Sequence, residues 1–168
     1  MDASSIQASC ANTIFAARSD RHSTRRTSRR SAAASPASLA NESGGRPRYL
    51  GYDGRLSSPE LEAALVAGLT GSGANVVRIG RGPTPMLYYA THALNTDAGV
   101  MVTGSHNPPD QNGLKMVLKG DSFFGADIQT LGKRVEAGDF HSGAGSVRDQ
   151  SVMERYVDRL AQDGRPGK

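Results

Sequence analysis

The sequence predicts a three-layer α/β/α domain on a mixed, mostly parallel sheet of about four strands, the last of them antiparallel. Three observations predict it. Residues 75–79 and 98–102 are short, largely apolar runs with the length of buried strands. Segments with apolar residues at helical spacing alternate with these runs, which is the pattern of helices layered on a sheet. The runs at 98–102 and 114–118 are joined by a polar loop and no helix, so that pair is expected to lie antiparallel.

Each element follows from its own residues. Order begins near Arg48, and Tyr49-Leu50-Gly51-Tyr52 reads as a short strand. Ser57 and Glu60 have the spacing of a capping box, with Pro59 in the first turn. Leu61, Leu65 and Leu69 then form one apolar stripe on a helix, which Gly71 and Gly73 end. After the strand at 75–79, Gly82-Pro83-Thr84-Pro85 is a turn, with Thr84 as cap and Pro85 at the first helical position of a helix reaching residue 94. Tyr88 and Tyr89 on that helix read as packing residues. Residues 126–137 and 152–161 carry helical spacing, and no internal repeat is visible.

Composition bounds the function. A single cysteine, Cys10, excludes a disulfide framework and a multi-cysteine zinc site. No apolar run approaches the roughly 20 residues that span a bilayer, so no membrane partner is expected. The net charge of +4 is local. Residues 1–48 hold eight Arg, no Lys and three acids, whereas residues 49–168 hold twelve bases and thirteen acids. The basic balance is therefore no argument for specific nucleic-acid binding by the rest of the chain. Three regions are expected. Residues 1–47 form an Arg/Ser/Ala-rich segment too poor in apolar groups to offset its ordering entropy. Residues 48–150 form the domain. Residues 151–168 form a C-terminal helix and linker.

The chemistry points to the loop Thr103-Gly104-Ser105-His106-Asn107-Pro108-Pro109, just past the C-terminal end of a buried strand, where open α/β sheets bind ligands. Gly104 permits a sharp turn and the prolines stiffen the exit. A hydroxyl held there suits nucleophilic work or carriage of a transferred group. His106 could relay a proton or donate to a phosphoryl oxygen. Lys115 on the adjoining strand and Arg55 at the end of the first strand are candidate cations for the same edge. From spacing alone an ordinary polar turn is the favoured reading, because Ser, Asn, Gly and Pro are the commonest turn residues.

The segment resembles the α-D-phosphohexomutases, the phosphomannomutase/phosphoglucomutase family. The resemblance rests on Thr103-Gly104-Ser105-His106-Asn107-Pro108, which is similar to the family's phosphoserine loop. Gly51-Tyr52-Asp53-Gly54-Arg55 with Ser57-Ser58-Pro59-Glu60-Leu61 supports it, as do Gly82-Pro83-Thr84-Pro85 and Asn112-Gly113-Leu114-Lys115. It runs from Arg48 to about Leu160 and covers the first of the family's four domains. The resemblance implies phosphoryl transfer between the 1- and 6-positions of a hexose phosphate, in the cytoplasm. Ser105 is then the phosphoserine and the one metal-facing residue, through its phosphate. His106 lies beside it, Lys115 matches a general acid/base, and Arg55, Thr103, Gly104 and Asn107 lie near phosphate or substrate. Mg²⁺, with its remaining ligands in a second domain, and a hexose 1,6-bisphosphate activator are implied as well. This chain alone is expected to be inactive, at most a weak phosphosugar-binding or docking domain.

The family opens with Arg-Glu-Tyr-Asp-Ile-Arg-Gly, and this chain does not. Read one base upstream, however, the codons of Ala11-Asn12-Thr13-Ile14-Phe15-Ala16-Ala17 can spell that peptide. Those of Ser31-Ala32-Ala33-Ala34-Ser35-Pro36 can spell Ile-Gly-Arg-Ser-Phe-Ala, similar to the family's first helix. The expectation is that roughly the first forty residues are out of frame, with the frame restored before Gly44.

Overall fold

In the computed structural model the described residues are 17–18, 46–96, 98–139 and 141–164. Their elements are β1 (Ala17–Arg18), β2 (Arg48–Tyr52), α1 (Ser58–Gly71), β3 (Val76–Arg81), α2 (Thr84–Ala93) and β4 (Ala98–Val102). There follow β5 (Gln111–Asn112), β6 (Leu114–Leu118), β7 (Asp121–Phe123), α3 (Ala126–Ala137), β8 (Val147–Asp149) and α4 (Met153–Asp163).

Alternation along the strands makes the layers. Leu50, Val76, Val100 and Val102 face one side of the sheet and pack on Leu61, Leu65 and Leu69 of α1. Tyr49, Val77, Ile79, Met101 and Val117 face the other side and pack on Met86, Leu87 and Ala90 of α2, with Val152 at the start of α4. The α1 stripe is thus buried as the leucine spacing requires. α4 lies against α2, where Tyr89 meets Tyr156 with ring centroids 5.7 Å apart. Tyr88 is exposed.

The sheet runs β7-β6-β4-β2-β3-β8. β2 pairs parallel with β3 and β4, and β3 pairs parallel with β8. β6 pairs antiparallel with β4, as the helix-free loop predicts, and β7 pairs antiparallel with β6. The sheet therefore has six strands and not about four, and the expected antiparallel strand at 114–118 is β6. The two additional strands are three residues each and mostly exposed, so neither carries an apolar run. A hairpin turn with positive φ at Lys119 and Gly120 joins β6 to β7.

Two helix starts differ from expectation. Ser57 precedes α1 but makes no side-chain cap, because its hydroxyl accepts a hydrogen bond from the Asn112 side-chain amide. Thr84 lies inside α2, and Pro83 takes the cap position with extended backbone. Of residues 1–47 only 17–18 and 46–47 are described, and Ala17–Arg18 pairs antiparallel with Gln111–Asn112; the expected disorder of the others lies outside the described residues. Among the described residues no helix is long and apolar enough to cross a membrane.

Candidate functional site

The parallel strands β2, β3 and β4 end at one edge, and the loops that leave them meet there. The β2–β3 register shifts between Leu50 and Gly51, a bulge just before the loop after β2. That loop carries Asp53 and Arg55, and the loop after β4 carries Thr103 to Pro109.

Thr103 is tied down first. Its N–H donates to the Gly113 carbonyl at 2.9 Å, which extends the β4–β6 pairing by one step. Its hydroxyl accepts the Ser105 N–H at 3.0 Å. The Asn107 N–H then closes on the Gly104 carbonyl at 2.8 Å. Ser105 therefore stands at the first corner of a four-residue turn with φ +50°. That corner ordinarily belongs to glycine, and a side chain there costs about 1–2 kcal/mol. The surrounding bonds hold the strain, as at functional sites generally.

Arg55 supplies much of that restraint. One terminal nitrogen of its guanidinium donates to the Pro108 carbonyl at 2.6 Å and the Gln111 carbonyl at 3.1 Å. The other donates to the carbonyls of Asn107 at 2.7 Å and Ser105 at 3.3 Å. The planar fork thus grips four backbone oxygens of the loop. A Cβ built at Gly104 would overlap the guanidinium, so the glycine makes room for this clamp.

Asp53 completes the cluster. It accepts the Gly104 N–H at 3.1 Å, and Arg55 Nε lies 3.4 Å away. Burial acts to raise its pKa. Hydrogen bonds from the Ser58 hydroxyl, the Arg55 N–H, the Thr103 hydroxyl and the Gly104 N–H outweigh that and hold the carboxyl below its usual range.

The expected site residues thus fall into two sets. Arg55, Thr103, Gly104, Ser105 and Asn107 are joined by direct hydrogen bonds. His106 is exposed at the tip of the turn, and Lys115 is half-buried on β6 opposite Met101. Neither makes a hydrogen bond to Ser105 among the described residues. Asp53, Ser58 and Asn112 stand in the quoted motifs but were given no role by sequence reasoning. For Asp53 and Ser58 the signal was their place between an apolar strand and an apolar helix stripe.

Comparison with known proteins bears on the same segment. A model of the family described as "Phosphoglucomutase/phosphomannomutase, alpha/beta/alpha domain I" matches residues 18–142, starting upstream of Arg48. A phosphomannomutase/phosphoglucomutase of Pseudomonas aeruginosa is 46% identical over 114 residues, which are 68% of this chain and 25% of that protein. A phosphoglucomutase of Neisseria gonorrhoeae is 45% identical over 126 residues, which are 74% of this chain and 27% of that protein. This chain spans about a quarter of the length of these curated relatives. A crystal structure of a phosphoglucomutase/phosphomannomutase family protein from Burkholderia thailandensis superposes with TM-score 0.78 at 34% identity, covering 89% of this chain and 34% of that one. A family match over most of the chain, a shared fold and the loop motif converge: this chain belongs to the phosphoglucomutase/phosphomannomutase family, within its α/β/α domain I.

Proposed function

We propose that this chain is the serine-bearing domain of a cytoplasmic hexose phosphomutase, with Ser105 as the residue that carries the transferred phosphoryl group. The observation that carries the reading is the left-handed Ser105, strained and clamped at a strand tip. Lys119 in the β6–β7 hairpin is left-handed too, but the Ser105 turn is gripped by a part-buried arginine fork on four carbonyls of its loop.

In the proposed reaction a hydroxyl of the bound hexose phosphate attacks the phosphorus on Ser105. The bond from phosphorus to the serine oxygen breaks as the bond to the sugar oxygen forms. The proton of the sugar hydroxyl ends on the serine oxygen, with Lys115 as the group that passes it. The resulting 1,6-bisphosphate returns its other phosphoryl group to Ser105 by the reverse steps, so added hexose 1,6-bisphosphate acts as activator. Catalysis of this kind is mostly positioning and charge stabilisation. His106, beside Ser105 and open to solvent, is the proposed donor to the phosphoryl oxygens. Arg55 acts through the backbone, because its donors are spent on loop carbonyls. Asn107, Thr103 and Gly104 shape the turn.

Magnesium is the cofactor of this reading. Among the described residues no group of three or more His, Cys, Asp or Glu side chains gathers to hold a metal. Asp53, the carboxylate at this edge, already accepts hydrogen bonds on both oxygens. The residues present therefore do not form a magnesium site by themselves. The serine phosphate would supply one ligand, the others would come from outside this chain, and no step above is routed through the ion.

The test is conversion of mannose 1-phosphate or glucose 1-phosphate to the 6-phosphate with added hexose 1,6-bisphosphate. This chain alone is expected to give no turnover. A graft of residues 46–164 in place of the matched quarter of the P. aeruginosa relative is expected to turn over, and Ser105→Ala in the graft to abolish it. A folded graft that is silent, or one that works without the Ser105 hydroxyl, overturns the reading.

A further inference from the structure

Asp53 joins the loop after β2 to the loop after β4. One carboxylate oxygen accepts the Arg55 N–H at 3.1 Å and the Ser58 hydroxyl. The other accepts the Gly104 N–H at 3.1 Å. The Thr103 hydroxyl acts to lower the pKa of this carboxylate, and the same hydroxyl accepts the Ser105 N–H. Two consecutive amides are thus oriented, Gly104 by the anion directly and Ser105 by the neighbouring Thr103 hydroxyl. The Arg55 side chain beside that anion fixes the carbonyls of the same turn.

We propose that Asp53 is the positioning residue of this site: working through Gly104, Thr103 and Arg55, its carboxylate holds Ser105 in the left-handed turn from which its hydroxyl reacts. The proposal rests on the reading of Ser105 as phosphoryl acceptor. The anion is required for a geometric reason. Every group around Asp53 is a donor, and a carboxylate is an acceptor on both oxygens. An asparagine would set an NH₂ against either the Gly104 N–H or the pair formed by the Arg55 N–H and the Ser58 hydroxyl. One half of the hub must open.

The experiment compares the full chain with Asp53→Asn by two measurements. The first is amide hydrogen exchange. The second is phosphorylation of Ser105 by acetyl phosphate, followed by intact mass. In that step the serine oxygen bonds to phosphorus, acetate leaves, and the hydroxyl proton passes to solvent. In Asp53→Asn the Gly104 and Ser105 amides are expected to exchange about tenfold faster or more, while Val100 and Met101 in β4 stay protected. Phosphorylation of Ser105 is expected to fall about tenfold. Unchanged exchange at the loop, or faster exchange with undiminished phosphorylation, overturns the proposal. Absence of phosphorylation in the unsubstituted chain overturns the acceptor reading instead, and exchange at Gly104 still decides whether Asp53 sets the turn. Where Asp53→Asn does not fold, Thr103→Val serves. Faster exchange at Ser105 with Gly104 still protected supports the relay, and no change at Ser105 overturns it.

Discussion

At the scale of the residue, the site is governed by who donates to whom. Arg55, a candidate cation for this edge in a structural or phosphate-proximal role, turns under the loop, where its fork donates to four carbonyl oxygens. Gly104 was legible as a turn glycine, whereas its second reason, the space that Arg55 fills, required the coordinates. Gly104→Ala is therefore expected to expel the guanidinium and destabilise the chain by about 2 kcal/mol, measured by urea unfolding. An unchanged midpoint contradicts the clamp. Asp53 gives a pH prediction. Its folded pKa is lowered, so the stability it contributes is complete above about pH 4 and is lost as pH falls through the lowered value. Acid titration followed by NMR is expected to show the Gly104 amide shifting with a midpoint below that of an ordinary aspartate. A midpoint at or above the ordinary value contradicts the hydrogen-bonded hub.

At the scale of the element, apolar periodicity was legible and short polar strands were not. The leucine stripe of α1, the buried β4 and the antiparallel β6 follow from residue type and spacing. β7 and β8 follow from pairing with strands already in place, which no local pattern reports. The capping box failed for a related reason, since Asn112 from a distant loop takes the Ser57 hydroxyl. Glu62 shows the same tertiary control. It sits on the buried face of α1 and receives both Arg78 Nε at 2.7 Å and a terminal guanidinium nitrogen at 2.9 Å. These bonds raise the Arg78 pKa, and Asp149 of β8 lies 3.5 Å from the same guanidinium. The trio links α1, β3 and the edge strand. Glu62 is fully buried while Arg78 is partly exposed, so Glu62→Ala is expected to cost about 3 kcal/mol in urea unfolding, with Glu62→Gln milder. A loss below about 1 kcal/mol contradicts a structural role for the pair. α4 divides along its length. Met153 and Tyr156 pack near Val152, while Val157 and Leu160 on the same stripe remain half exposed.

At the scale of the whole molecule, the matched segment of this chain spans about a quarter of the length of its curated relatives. The turn, the clamp and the candidate hydroxyl lie within one domain. Among the described residues no group of three or more His, Cys, Asp or Glu side chains gathers to hold a metal. The sequence made the family and the loop legible because the motif occupies consecutive residues. It could not show how the β2 and β4 loops interlock, because Asp53 and Gly104 are about fifty positions apart. The out-of-frame expectation for roughly the first forty residues is checked at the gene. Nucleotides spelling Arg-Glu-Tyr-Asp-Ile-Arg-Gly one base upstream of the Ala11 to Ala17 codons support it, and any other peptide there refutes it.

The most direct test of the account is where a phosphoryl group lands. The chain and its Ser105→Ala variant are incubated with acetyl phosphate, and mass spectrometry locates the modification. A single phosphoryl group on Ser105, absent from the variant, is the predicted result. No modification of the folded chain, or the same modification in the variant, contradicts the claim that this strained serine is the phosphoryl carrier.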